Sequence, residues 1–238
     1  MPGSALPSLV PGHANLAPEL TEIHALRTGL RRAPRNTAIL RAGDGGVRMR
    51  TLLDGWAFRC RILDDGRRQI LGILLPGDTF GIETLFGGAA DHMVWSATAV
   101  QYATFDPDAT ERLFDDAPWF RRRLMRAMAD TSSAMQDWMI QLGQCNAEER
   151  TAALLMLLYE RLEARGLARG HCFRLELTQV EQADALGLHI VHLNRILSRL
   201  RARRLIGMRG PEVDLLDLDA LFALMPAPRQ ALRPDLVS

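Results

Sequence analysis

Residues 177–204, LTQVEQADALGLHIVHLNRILSRLRARR, carry the most specific pattern in the chain. Thr178, followed three residues later by Glu181, predicts a capping box at the start of a helix. Gly187 predicts the end of that helix, because glycine adopts a left-handed conformation at little cost. Apolar residues at helical spacing predict one helix before the turn and another after it. They are Val180, Ala183 and Leu186 in the first helix and Ile190, Leu193, Leu197 and Leu200 in the second.

The surroundings of the second helix are strongly basic. No Asp or Glu occurs between Ala185 and Pro211, an interval that contains six arginines. Such a surface suits phosphates. Two short apolar runs, 205–208 and 213–216, flank the turn at 209–212 and predict a β-hairpin. The stretch therefore predicts a winged helix-turn-helix, whose second helix presents polar groups to base edges. The alternative is a helical hairpin with a solvated basic face.

The earlier part of the chain has the period-two alternation of strands. It occurs within residues 47–52 and 56–63, and Asp64-Asp65-Gly66-Arg67 predicts a hairpin turn between the second run and a returning strand at 69–75. Gly43, Gly55, Gly66 and Gly77 follow one another at intervals of 12, 11 and 11 residues. Evenly spaced turns predict a compact antiparallel roll or barrel. The expected fold class is α+β, with an N-terminal antiparallel β-roll of the jelly-roll type.

A long helix is predicted between the roll and the winged helix-turn-helix. Within residues 119–144, one set of positions steps alternately by four and three residues, which is typical of a heptad seam. The seam consists of Leu124, Met128, Thr131, Met135, Trp138 and Leu142, and it ends near Cys145. We expect this helix to form a parallel homodimer. The alternative is a core helix that packs on the roll.

Composition narrows the class of protein. The chain has 238 residues, 47% of them hydrophobic, and a formal net charge of +1, so its basic surface is local. Three widely separated cysteines argue against a secreted disulfide framework and fit a cytoplasmic protein. We expect no signal peptide and no membrane span, because no long apolar run occurs.

The expected organisation has five parts. Residues 1–17 form a flexible N-terminus, 18–118 the β-roll sensory domain, 119–145 the dimerisation helix, 146–220 the winged helix-turn-helix domain and 221–238 a C-terminal tail. Leu20, Ile23, Leu26 and Leu30 predict a short helix before the roll.

The glycine-punctuated roll, the heptad helix and GLHIVHLNRIL followed by a wing resemble the Crp/Fnr family of bacterial transcription regulators over about residues 20–220. The resemblance implies effector-linked binding of a homodimer to palindromic double-stranded DNA, with RNA polymerase as a further partner. It implies that Arg195 pairs with a guanine. His192 and Asn194 replace other polar base contacts, because the neighbouring family positions are apolar here. The implied DNA-binding residues are Thr178, Gln179, His189, Ile190, Val191, His192, Asn194, Arg195, Arg199 and Arg209.

The resemblance also implies an effector pocket in the roll. Its candidate residues are Gly81, Ile82, Glu83, His92 and Met93. Cyclic-nucleotide binders of the family hold the phosphate with an Arg-Ser or Arg-Thr pair, but here that position reads His92-Met93. We therefore expect no tight cyclic AMP binding. The oxygen-sensing branch needs a cysteine cluster ahead of the roll, and no Cys precedes Cys60, so we expect no iron–sulfur cluster and predict no cofactor.

Several alternatives compete with this interpretation. His92 could ligate haem, His189 and His192 could face one metal ion, and Cys145 could form a redox disulfide across the dimer; we expect none of these sites. No motif typical of an enzyme occurs, so we expect no catalysis. The main competing function is a ligand-binding module whose winged helix docks a protein partner.

Overall fold

The computed structural model describes residues 27–46, 49–86 and 88–225. The chain divides into two compact units, Met1–Asp137 and Trp138–Ser238. The flexible N-terminus predicted for 1–17 lies outside the described residues, as does most of the tail predicted for 221–238. The first residues of that predicted tail are helical, because the last helix is Leu218–Leu224, capped by the Asp217 carboxylate.

The first unit contains two antiparallel four-stranded sheets, and the predicted roll is confirmed. The strands are β1 (Arg27–Ala33), β2 (Ala38–Leu40), β3 (Arg50–Asp54), β4 (Ala57–Ile62), β5 (Arg68–Leu74), β6 (Thr79–Phe80), β7 (Met93–Ser96) and β8 (Val100–Phe105). One sheet has the order β1-β8-β3-β6 and the other β2-β7-β4-β5. A 3-10 helix, Ile82–Phe86, lies between β6 and β7.

The core of the roll lies between these sheets. Leu52 and Phe80 from one sheet and Ala57 and Val94 from the other are completely buried in one cluster. The turn before β4 requires glycine, because Gly55 has a φ of +79° and a Cβ there would lie 2.2 Å from the Ala99 carbonyl oxygen. The roll is thus closed by apolar alternation and by a turn that tolerates no side chain.

Two local expectations in this unit are wrong. Leu30 belongs to β1 and not to a helix, because backbone pairing with β8 overrides the helical spacing of its leucines. The expected helical residues before Arg27 lie outside the described ranges. The alternation within 56–63 puts Ile62 on the same face as the buried Cys60, but Ile62 is 48% exposed, because it ends β4 beside the exposed turn at 63–67.

Two helices follow the roll. Helix α1 (Pro107–Asp116) begins at Asp106, whose carboxylate accepts a hydrogen bond from the Ala109 N–H at 2.7 Å. Helix α2 (Pro118–Gln144) contains the predicted seam, and the boundary between the two units falls within it. The start of α2 packs on the roll through Phe120 and Leu124, which join a cluster with Phe105. The alternative interpretation, a helix packed on the roll, is therefore correct for the first turns of α2.

The second unit has the predicted winged helix-turn-helix architecture. Its elements are α3 (Ala147–Glu163), β9 (Cys172–Arg174), α4 (Gln179–Leu186), α5 (Ile190–Ala202), β10 (Ile206–Arg209), β11 (Glu212–Leu215) and α6 (Leu218–Leu224). The three strands form an antiparallel sheet of order β10-β11-β9. Gly210, with a φ of +61°, lies in the β10–β11 turn. The α+β fold class is confirmed in both units.

Candidate nucleic-acid interface

Helix α4 begins and ends as its sequence predicts. The Thr178 hydroxyl accepts a hydrogen bond from the Glu181 N–H at 3.2 Å, and the Glu181 carboxylate accepts one from the Thr178 N–H at 2.7 Å. Gly187 ends the helix at a φ of 62°, a left-handed conformation that favours glycine. The predicted capping box and glycine stop are both confirmed, so the turn into α5 is determined by local sequence.

Helix α5 has one buried and one exposed face. Leu193, Leu197 and Leu200 are buried as predicted, whereas Ile190 is only partly buried and Ile196 joins the buried face. In α4, Ala183 and Leu186 are buried as predicted. Val180 was predicted to lie on the apolar face but is 51% exposed, because it belongs to the first turn of α4 and faces solvent.

His189 caps the N-terminus of α5. Its Nδ1 atom accepts a hydrogen bond from the Val191 N–H at 3.3 Å. The imidazole thus caps the helix, as a Ser or Thr hydroxyl commonly does. In this arrangement the ring proton is on Nε2, because an Nδ1 that accepts a hydrogen bond carries no proton. His189 therefore has a donor available for a ligand at the helix terminus.

The structure leaves the predicted DNA-binding side chains accessible on the same bihelical unit and its wing. Ile190 and Asn194 are partly buried. The other members of the set are exposed: Thr178, Gln179, His189, Val191, His192, Arg195, Arg199 and Arg209. The Thr178 hydroxyl already serves the α4 cap, so a contact from Thr178 would use its remaining hydrogen-bonding capacity.

The arginines of α5 differ in what they contact. The Arg195 guanidinium has no hydrogen-bond or ion-pair partner among the described residues, which leaves its fork of donors available. Arg201 donates to the Ser198 hydroxyl at 3.1 Å. Arg199 and Arg203 both pair with Glu148 in the first turn of α3. Sequence reasoning missed Glu148, because it lies about 50 residues away and only the packing of α3 against α5 brings it near.

A second candidate site is a cavity of about 440 Å³ in the first unit. Of the predicted pocket residues, Ile82, Glu83 and His92 line it. Gly81 and Met93 are not among its lining residues: Gly81 accepts a hydrogen bond from the Thr84 hydroxyl, and Met93 opens strand β7. The other lining residues were not predicted to belong to the pocket: Arg59, Arg61, Leu71, Asp91, Met128, Thr131, Ser132 and Met135.

The cavity contains arginine from another part of the chain, although the family motif position, His92-Met93, has none. Arg59 and Arg61 reach it from β4, about 30 residues away in sequence, because β4 pairs with β7. Both guanidiniums are already engaged: Arg59 donates to the Thr79 carbonyl at 3.2 Å, and Arg61 pairs with the Asp91 carboxylate at 2.5 Å. The cavity therefore contains two guanidiniums, but each already contacts another group of the protein.

The charged wall of the cavity centres on His92. Its Nδ1 lies 2.8 Å from an Asp91 carboxylate oxygen, and its Nε2 lies 3.7 Å from an Oε1 atom of Glu83. The hydrogen bond from His92, followed by the charges of His92 and Arg61, lowers the pKa of Asp91 below its usual value. Glu83 Oε1 and His92 Nε2 are buried atoms without a hydrogen-bond partner among the described residues. The wall therefore offers two unsatisfied polar atoms beside two engaged arginines.

The predicted seam of α2 is only partly available for a second copy. Leu124 was predicted at the interface, but it is 5% exposed in the roll cluster and leaves little surface to bury. Met128 and Met135 are exposed, and Thr131, Trp138 and Leu142 are partly buried. Met125, Met139 and Ile140 add further exposed apolar surface on α2. An unpartnered apolar face of this kind typically marks an interface.

The two cysteines of the second unit lie in surroundings that raise the pKa values of their thiols. Cys145 is 8% exposed, and burial raises the pKa of its thiol, which lowers its reactivity. A hydrogen bond with Asp214 raises the pKa of Cys172. Across 27–46, 49–86 and 88–225, no three His, Cys, Asp or Glu side chains come together in a way that could hold a metal ion.

Comparisons with known proteins match both the roll and the winged helix-turn-helix. A family described as the cyclic nucleotide-binding domain matches residues 30–117, and one described as the Crp-like helix-turn-helix domain matches residues 149–224. The transcriptional activator protein Anr of Pseudomonas protegens is 32% identical over 189 residues, which cover 78% of this chain and 76% of Anr. The transcriptional activator protein FnrL of Cereibacter sphaeroides is 30% identical over 175 residues, which cover 72% of this chain and 70% of FnrL.

Solved structures show the same fold. FixK2 from Bradyrhizobium japonicum superposes with a TM-score of 0.78 at 24% identity, over 84% of this chain and 98% of that protein. In the part of the chain that the structure describes, no helix is both long enough and apolar enough to cross a membrane.

Proposed function

This chain belongs to the Crp/Fnr family of DNA-binding transcription regulators, and from that premise we propose that it binds palindromic promoter sites as a homodimer. The observation that carries the proposal is the exposed face of α5, where Arg195 has no partner among the described residues while Leu193 and Leu197 anchor the helix in the core. A recognition helix needs this division between a packed face and an accessible polar face. A protein-docking role explains the concentration of arginine less well.

The side chains of α5 divide into base contacts and phosphate contacts. Arg195 pairs with a guanine, since its fork of donors matches O6 and N7 in the major groove. His192 and Asn194 supply further polar contacts, and Val191, 49% exposed, meets a thymine methyl group. Thr178, Gln179, His189, Ile190, Arg199 and the wing residue Arg209 complete the interface, with the Thr178, Arg199 and Arg209 contacts made to the DNA backbone.

The homodimer forms through the exposed apolar face of α2. Met135, 48% exposed, and Met128, 41% exposed, are central, together with Thr131, Trp138 and Leu142. Leu124 is left out because the roll already buries it. A twofold axis along α2 would present two copies of α5 to successive major grooves, about 34 Å apart. The palindrome in the DNA then mirrors the symmetry of the protein.

The cavity in the roll is the effector site. It is lined by Met128, Thr131 and Met135 of α2, so a ligand there touches the helix on which dimerisation depends. Carboxylates of Glu83 and Asp91 share its wall and oppose an anion, and we retain the prediction that cyclic AMP does not bind tightly. Ligand binding shifts the balance between two arrangements at the junction of α2 and α3.

The expected protein partner and cellular location follow from the proposed promoter target. A promoter-binding regulator meets RNA polymerase on the same DNA, and polymerase is the expected protein partner. Since promoters of a bacterial cell lie in its cytoplasm, the protein acts there. It performs no catalysis of its own.

Selection of sites from random duplex DNA, with protein purified without added ligand, tests the proposal. A palindrome with one fixed guanine in each half-site is expected. Arg195→Ala should then lose about 1–3 kcal/mol of binding free energy and accept other bases at that position. Arg209→Ala is the control: it should weaken all sequences about equally, because a phosphate contact carries no sequence information. If Arg195→Ala kept the same preference, its assignment would be wrong.

A further inference from the structure

Glu148 on α3 pairs with two arginines at the C-terminal end of α5, Arg199 in its last turn and the C-cap residue Arg203. The Arg199 guanidinium donates to its Oε2 atom at 2.9 Å, and the Arg203 guanidinium donates to its Oε1 atom. The Glu148 side chain is 15% exposed, whereas the side chains of Arg199 and Arg203 are 61% and 47% exposed. One largely buried carboxylate thus occupies both guanidiniums from the inner side of the basic face.

The position of Glu148 is set by the cap of α3. Its backbone N–H donates to the Asn146 side-chain oxygen at 2.9 Å, and Asn146 and Glu149 form a reciprocal capping box. Arg199 lies in the last turn of α5 and Arg203 is the C-cap residue four positions later, so their side chains project to the same side of the helix end. The backbone on both sides of the contact is therefore fixed by helix ends, and the largely buried Glu148 side chain is the less mobile partner.

The contact bears directly on DNA binding, because a carboxylate and a phosphate present the same kind of acceptor to a guanidinium. Glu148 offsets one of the two positive charges of Arg199 and Arg203, so the two arginines together release fewer counterions when they meet DNA than two free ones. Sequence-independent affinity is the part of binding that depends on such neutralisation. Specificity is a difference of affinities, so lowering the sequence-independent part raises it.

We propose that Glu148 is a specificity-determining residue that competes with DNA phosphates for Arg199 and Arg203. It withholds both arginines from random DNA and so limits sequence-independent binding. Arg195, which Glu148 does not contact, remains available for base recognition. This inference rests on the proposed contact of α5 with DNA.

The test is Glu148→Gln in the full chain, with affinity for a random-sequence duplex measured across salt. The variant loses one negative charge and so frees one net positive charge for phosphate, which should steepen the log–log salt dependence by about 0.9. Between about 200 and 50 mM salt, the ratio of variant to wild-type affinity should therefore grow by roughly 3.5-fold. Affinity for the selected palindrome should rise less, so the specificity ratio should fall.

Glu149→Gln is the matched control. It removes the same charge one residue away, but Glu149 contacts Asn146 and not the arginines, and Gln also serves in a capping box. Its salt dependence should equal that of the wild type. An equal steepening in Glu149→Gln would mean that overall charge is responsible, and would overturn the proposal.

Arg203→Ala keeps the test decisive if Glu148→Gln folds poorly. In otherwise wild-type protein it should lower the salt dependence on random DNA by about half of 0.9, because Glu148 divides its one negative charge between two guanidiniums. A decrease of about 0.9 would contradict the proposal. So would a Glu148→Gln variant that still selects the palindrome but has the wild-type salt dependence. If the wild type selects no palindrome, the proposed function fails instead.

Discussion

Tyr159 in α3 provides an internal pH probe of the second unit. Its hydroxyl donates to the Glu163 carboxylate at 2.6 Å, its side chain is 5% exposed, and its ring lies against those of His171 and Phe173. The hydrogen bond to Glu163, and then burial, raise the pKa of Tyr159 to about 12 from a usual value of 10.0. The neutral phenol is therefore favoured in the folded protein.

The direction of the pH effect follows from proton binding. Above pH 10 the unfolded chain loses the phenolic proton while the folded chain keeps it, so the free energy of unfolding falls as pH rises. The stabilisation is complete below about pH 10 and is lost as pH approaches 12. Each pKa unit corresponds to about 1.4 kcal/mol, so the loss is about 1.4 kcal/mol at pH 11 and at most about 2.7 kcal/mol.

Tyr159→Phe isolates this effect. The chain contains 29 basic residues, and all are arginine, so no lysine titrates in the same range. Urea unfolding of both proteins at pH 8 and pH 11 should show the stability advantage of the wild type shrinking by about 1.4 kcal/mol. The absorbance of tyrosinate, compared between the two proteins, should place the Tyr159 titration near pH 12. A constant stability difference, or a titration near pH 10, would refute the reasoning.

Three further outcomes are expected. Gly55→Ala should destabilise the roll by more than about 2 kcal/mol in urea unfolding, because its Cβ would meet the Ala99 carbonyl oxygen. Gly66 also has a positive φ but has open space around it, so Gly66→Ala should cost only about 1–2 kcal/mol. Equal losses of stability in the two variants would contradict the argument. Met135→Glu should dissociate the proposed dimer in analytical ultracentrifugation. Ser133→Glu, which is exposed but lies off the seam, should leave it intact. If Met135→Glu remained dimeric, the proposed interface would be wrong. Calorimetry with cyclic AMP should show no micromolar binding, and a clear isotherm would overturn that prediction.

The winged helix could be predicted closely because its signals are short-range. The capping box of Thr178 and Glu181 and the left-handed Gly187 each depend on residues within one or two helical turns. The hairpin turns at Gly66 and Gly210 likewise lie where the sequence predicts them. Local backbone preferences of this kind are the same in a peptide as in a folded chain, so they can be identified before the fold is known.

Expectations that depended on competition between elements were less accurate. The leucine spacing around Leu30 indicated a helix, but sheet pairing with β8 is the stronger interaction there. Leu124 belongs to a heptad pattern, and the pattern alone does not say whether the roll or a second copy covers it. A hydrophobic repeat specifies which face is buried and leaves the partner undetermined.

The sequence by itself determined the α+β class, the helix-turn-helix and the basic character of α5, since these follow from spacing and local composition. Only the tertiary structure decided which charges meet. Glu148 pairs with Arg199 and Arg203 from about 50 residues away, and Arg59 and Arg61 enter a cavity whose own motif lacks arginine. The physical reason is that a charge acts through space, over a few ångströms, and folding brings together charges that lie far apart along the chain.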